Sequence, residues 1–157
     1  MRRLTGLFLV LLPAAAFSAP SGKTWEVPRQ KALALAGDDA ALKTAIEKLF
    51  ANPQPAVLSN FPYAAGKRAK EFAEVLACFL EDERPEMRRA TADVFRILKE
   101  KSMAPRVAKL LKDRDVEVRR AALSALQVLD DKSFAPEVLK LFKDPAGRVV
   151  TKLGRSS

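Results

Sequence analysis

The chain offers few side chains able to do covalent chemistry. It contains no histidine, which removes the commonest general base and the commonest metal ligand together. Its one cysteine, Cys78, has no imidazole to pair with and no second thiolate with which to share a zinc ion. The carboxylates Glu81, Asp82, Glu83 and Glu86 crowd one short stretch, but solvated turns and helix starts favour acidic residues, and they are read that way rather than as an acid-base pair. No glycine-rich phosphate loop occurs; the nearest feature, Asp144-Pro145-Ala146-Gly147-Arg148, reads as a turn between helices. These absences point away from an enzyme, with no cofactor and no metal expected. Binding chemistry remains. Placed at 100° per residue on a helix, Arg89, Asp93 and Arg96 face away from the apolar stripe of their segment, as do Arg120, Ser124 and Gln127 of theirs. An arginine-bearing face of this kind suits an acidic peptide, a polyanion or phosphate groups.

The elements that must position these residues repeat along the chain. Glu74 to Ala104 and Pro105 to Ala135 align without gaps at a spacing of 31 residues, with eleven identities, where chance would supply about two. The turn Lys101-Ser102-Met103-Ala104-Pro105 returns as Lys132-Ser133-Phe134-Ala135-Pro136. Each unit reads as two helices, because its apolar residues recur with the 3.6-residue period of a buried stripe. Leu76, Phe79 and Leu80, then Met87, Thr91, Val94, Phe95 and Leu98 form the stripes of one unit. Val107, Leu110 and Leu111, then Val118, Ala122, Ala125, Leu126 and Leu129 form those of the next. Between the helices lie short polar turns ending in acids, which suit a helix N-terminus. Ser102 and Ser133 are placed to cap the following helices, with Pro105 and Pro136 tolerated in their first turns.

The flanks are less regular. Residues 38–66 predict an irregular first hairpin: Asp38 or Asp39 caps a helix carrying Leu42, Ile46, Leu49 and Phe50, and Pro62 and Gly66 break up a short second helix. Residues 19–37, with Trp25 and Pro28, read as an N-terminal arm. Residues 136–157 open a third unit that keeps register to Val149 and then stops short of a full hairpin. The tail is then either an improvised cap or a point at which a longer solenoid continues. Cys78 aligns with Lys109 and Lys140, off the stripe. It reads as a small residue in a partly buried gap, with an intermolecular disulfide or thiol adduct as the alternative.

The motif Leu110-Leu111-Lys112-Asp113-Arg114-Asp115-Val116-Glu117-Val118-Arg119-Arg120-Ala121-Ala122 resembles the HEAT repeat in its compact bacterial form. Phe79-Leu80-Glu81-Asp82 with Met87-Arg88-Arg89-Ala90 repeats it, and Leu141-Phe142-Lys143-Asp144 begins it again before Val150 stands where the arginine belongs. The resemblance covers residues 67–149. It implies an all-α, α-α superhelix of three to four short repeats, with clear units at 67–104 and 105–135. It also implies a structural ladder in which turn aspartates and helix arginines link neighbouring units, with Asp82 and Arg88, and Asp113 and Arg119, in those positions. In such arrays the second helices line the concave side where partners bind.

Arg2 and Arg3 precede an apolar run from Leu4 to Phe17, followed by the small residues Ser18 and Ala19. That pattern predicts a signal peptide over residues 1–18 and a periplasmic or secreted product, and the run is shorter than the roughly 20 residues of a membrane span. The formal charge is +9; without Arg2 and Arg3 it is +7, a mild attraction to anionic partners. The function expected is an exported, non-catalytic scaffold binding another protein with an acidic surface. Polyanion or nucleic-acid binding through a basic concave face is the alternative; export and the single Trp and single Tyr available for stacking weigh against it. Tetrapyrrole handling, by resemblance to the HEAT-like bilin lyases, is a weaker alternative that the signal peptide and missing histidine oppose.

Overall fold

Apolar stripes that match the 31-residue repeat are buried throughout a computed structural model that describes residues 25–129 and Pro136. The expected signal peptide, Ser133 and, apart from Pro136, the third unit with Asp144 lie outside the described residues. The described residues contain helices and no strands.

The first helix, α1 (Glu26–Ala36), lies where an arm was expected. Pro28 does not oppose it, since the third helical position has no intrahelical acceptor to lose, and the run Lys31-Ala32-Leu33-Ala34-Leu35-Ala36 has high helix propensity. The Trp25 carbonyl accepts the Arg29 amide at 2.9 Å, and Gly37 ends the helix at φ 60°, a conformation that costs glycine little. Asp39 caps α2 (Ala40–Ala51) by accepting the Leu42 amide at 2.9 Å. Leu42, Ile46, Leu49 and Phe50 are its buried face. The next helix, α3 (Pro55–Ala65), runs through Pro62 rather than breaking there. An interior proline costs about 3 kcal/mol; burial of Leu58, Phe61, Pro62 and Ala65 offsets it, at about 1.5–3 kcal/mol for each large side chain.

The later hairpins share one plan. Their first halves are segmented rods: a 3-10 stretch Gly66–Phe72, α4 (Ala73–Leu76) and a 3-10 stretch Ala77–Glu81, followed by α5 (Pro85–Leu98). The next unit has a 3-10 turn Lys101–Met103, α6 (Ala104–Lys109), a 3-10 turn Leu110–Lys112, and α7 (Val116–Leu129). Ser102 does not cap α6. Lys99 turns into the left-handed region at φ 51°, and the Glu100 carboxylate that follows accepts both the Ser102 amide, at 3.4 Å, and its hydroxyl, at 2.8 Å. The serine is thus a donor there.

Helices α3, α5 and α7 pack side by side as one layer, with α2 and the segmented rods as the second layer against them. The core between the layers includes the fully buried Phe50, Phe72, Phe79, Phe95, Met87, Met103, Leu111 and Leu129. Helix α1 packs on α2 and reaches α4. At its start the Trp25 ring meets Phe79 at 4.9 Å between centroids, and Phe79 meets Phe50 at 5.5 Å. At its end the Arg68 guanidinium donates to the carbonyls of Ala36 and Leu35, neutralising the negative end of the helix.

Candidate interaction surfaces

Among the described residues, the turns between helices carry a linked polar network. Arg88 is only 6% exposed. Its Nε and Nη2 donate to the two carboxylate oxygens of Asp113 in the next unit, at 2.7 and 2.8 Å. Its Nη1 donates to the carbonyls of Asp82 and Glu83 in its own turn, at 2.7 and 2.8 Å. The planar fork of donors makes one side chain a staple across two turns. The Asp82 carboxylate pairs with Arg84 at 3.0 Å, and Arg84 in turn donates to the Pro53 carbonyl of the preceding hairpin at 2.9 Å. Arg119 repeats the inward half of the Arg88 pattern, donating to the carbonyls of Asp113 and Arg114 at 2.8 and 3.2 Å. The rung between these two units therefore runs from one unit's arginine to the next unit's aspartate, Arg88 to Asp113, and links neighbours as a ladder should. Asp115 caps α7, accepting the Glu117 and Val118 amides at 2.8 and 3.0 Å.

Burial alone would raise the Asp113 carboxyl, but hydrogen bonds from Arg88 and the Asp115 amide, with the guanidinium charge, hold it below the usual carboxylate range. A carboxyl lowered in the folded state stabilises fully above its unfolded value of about 3.9. That contribution is lost as pH falls through the lower folded value. Thermal melts between about pH 2 and pH 6 should show stability falling on the acid side, with a shallower slope in Asp113→Asn. An unchanged slope in that variant would assign the acid lability to other groups.

The second-helix layer presents the residues singled out from the sequence. Arg89, Ser124 and Gln127 are exposed, and Asp93, Arg96 and Arg120 are half-buried. The face is charge-balanced rather than basic. Arg96 pairs with Asp93 at 3.3 Å and Arg120 with Glu117 at 3.0 Å, each within its own helix. Arg89 makes no ion pair among the described residues, but it lines a small depression with Pro85, Glu86, Asp115 and Glu117. Reading three positions per helix had left out Glu86 and Glu117, which occupy the same side one turn earlier. Also missed were the exposed large apolar residues of this layer: Tyr63 on α3, Ile97 on α5, and Val116 and Val128 on α7, at 72%, 41%, 37% and 39% exposure. Ile97 and Val128 stand 31 residues apart, so their recurrence beside the polar stripe was a signal present in the repeat.

Cys78 is half-buried and packs against the core. It lines a depression between α1, the Ala73–Glu81 rod and α6. No group of three His, Cys, Asp or Glu side chains able to hold a metal ion occurs among the described residues. None of the helices described is long and apolar enough to cross a membrane.

Antiparallel hairpins stacked in two layers and stitched at their turns define an α-α solenoid, whose working parts are its faces. The HEAT repeats family matches the chain over residues 72–156, more than half of its length, and the chain belongs to that family. The match reaches beyond Val149, where agreement read from the residues alone stops. HEAT repeats generally serve as protein-interaction scaffolds. No curated protein and no solved structure matches the chain at a significant level.

Proposed function

We propose that this protein is an exported, non-catalytic scaffold that binds another protein through its second-helix face. The observation that carries the reading is that the layer of α3, α5 and α7 exposes the apolar side chains Tyr63, Ile97 and Val128, while its α5 and α7 carry a polar stripe of balanced charge. Aromatic and aliphatic anchors rimmed by polar groups are the anatomy of a protein interface. A polyanion, by contrast, needs unpaired cations, and Arg96 and Arg120 are engaged with Asp93 and Glu117. Export is supported by Arg2, Arg3 and the apolar run that follows them.

The test is site-specific photocrosslinking in cells, with the crosslinker at position 97, at 128, and at the exposed Thr44 of α2 as a control. The mature chain, lacking residues 1–18, is expected in the envelope or medium. A discrete protein adduct is expected from 97 and 128 but not from 44. Ile97→Asp with Val128→Asp should weaken that partner by roughly tenfold or more while leaving helicity unchanged. Adducts from position 44 alone, or a partner indifferent to the double variant, would refute this face.

A further inference from the structure

Among the described residues, a row of exposed cations lies on the opposite layer. Lys101, Arg106, Lys109 and Lys112 are all exposed, and the last three recur at intervals of three residues along α6 and the 3-10 turn after it. In a 3-10 turn side chains three apart eclipse one another, so Lys109 and Lys112 continue the edge that Arg106 begins. Within this stripe the one ion pair is Arg106 with Glu74 of the neighbouring rod, at 2.7 Å.

Beside the stripe runs a groove made of two depressions that share Ala77, Glu81 and Arg106. One, of about 330 Å³, has Val27, Val75 and Cys78 in its walls and Lys31 at its rim. The other, of about 370 Å³, has Leu80 and Leu110 in its lining and Lys109 beside them. Volumes of this size accept one or two side chains each. We infer that this first-helix groove is a docking site for an extended polypeptide segment rich in acidic residues, whose small apolar side chains enter the two depressions while its carboxylates meet Lys31, Arg106 and Lys109. Glu74 and Glu81 also line the groove, but Lys31, Arg106, Lys109 and the exposed Lys112 beside it outnumber them, and this excess selects the acidic partner. The recessed apolar lining selects a peptide over a bilayer, which offers nothing to insert into a hollow. It also selects a peptide over single-stranded nucleic acid, which would need stacking aromatics, since Trp25 is buried and Tyr63 lies on the other layer, and over a duplex, whose phosphate backbone places no apolar group in a hollow.

The inference is independent of the second-helix face, and Cys78 supplies the readout, being the only cysteine of the chain. A fluorescent 12-residue peptide of alternating Glu and Leu is the probe, titrated into the purified protein, with iodoacetamide alkylation of Cys78 followed in parallel. The peptide should bind with an affinity that falls as salt rises, and at saturation should slow alkylation by roughly tenfold or more. Arg106→Glu with Lys109→Glu should reduce the affinity by roughly tenfold or more, and the milder pair Arg106→Gln with Lys109→Gln should reduce it in the same direction. Ile97→Asp with Val128→Asp should leave it unchanged. The inference is overturned if the peptide fails to bind, if it binds without protecting Cys78, or if both charge variants bind normally with intact circular dichroism. It is equally overturned if a 12-base-pair duplex or phosphatidylglycerol vesicles protect Cys78 as well as the peptide does.

Discussion

Replacing Arg88 with alanine should lower the unfolding free energy by about 3–5 kcal/mol, the cost of stripping one partner from a buried ion pair. Arg88 is 6% exposed and the Asp113 side chain 8%, so water cannot take over the bonds that are lost. The change leaves the Asp113 carboxylate with only the Asp115 amide, at 2.9 Å, and removes the donor held by the carbonyls of Asp82 and Glu83. Against a total stability of about 5–15 kcal/mol, such a loss brings the protein close to unfolding at ordinary temperature. Lysine should rescue poorly, because a single ammonium cannot match a bidentate carboxylate and two carbonyls at once. Arg88→Met with Asp113→Leu should recover much of the stability, since a buried pair exchanged for apolar groups no longer leaves a charge alone. Urea denaturation of the four proteins checks this; an Arg88→Ala loss below about 1 kcal/mol would mean that the pair behaves as a surface one.

Phe79→Ala should cost about 3–5 kcal/mol through the cavity it leaves. Phe79 is fully buried and joins α1, α2 and its own rod, through Trp25 on one side and Phe50 on the other. Trp25 is the only tryptophan, so the same variant should shift its fluorescence to the red as water reaches a ring that is now 4% exposed. Leucine should cost less than about 1.5 kcal/mol, because the next unit carries Leu110 at the equivalent position of the same plan. A Phe79→Ala protein with native emission and an unchanged melting temperature would contradict the packing described.

The repeating part of the fold was legible because its signal is redundant: the stripes of α5 and α7 occur twice at one spacing, and every residue assigned to them is buried. The N-terminal helix was harder to see. Helix α1 buries only Ala32 and Ala36 of its own length, so it lacks the large apolar stripe by which a helix is recognised, and Pro28 looks like a breaker until it is placed in the first turn. Pro62 misled for the converse reason: its local cost is visible in the sequence, whereas the tertiary packing of Leu58 and Phe61 that outweighs it is not. The turn residues of the ladder were recognisable by type. That the ladder links neighbouring units followed from the resemblance; whether an arginine reaches the preceding or the following unit's aspartate depends on how the units stack, which no single unit encodes. On the second-helix face, the arginines stood out as charges, while the acids that balance them sat one turn outside the positions considered.

A pile of hairpins that touch only their neighbours tends to unzip from an end, one pair after another. Among the described residues, helix α1 closes that route. It lays Trp25 on Phe79 in the following hairpin, and Arg68 from that hairpin grips its last carbonyls. Peeling α1 away thus breaks contacts with the hairpin that holds Phe79 and Arg68, so the two are expected to open together under a protease.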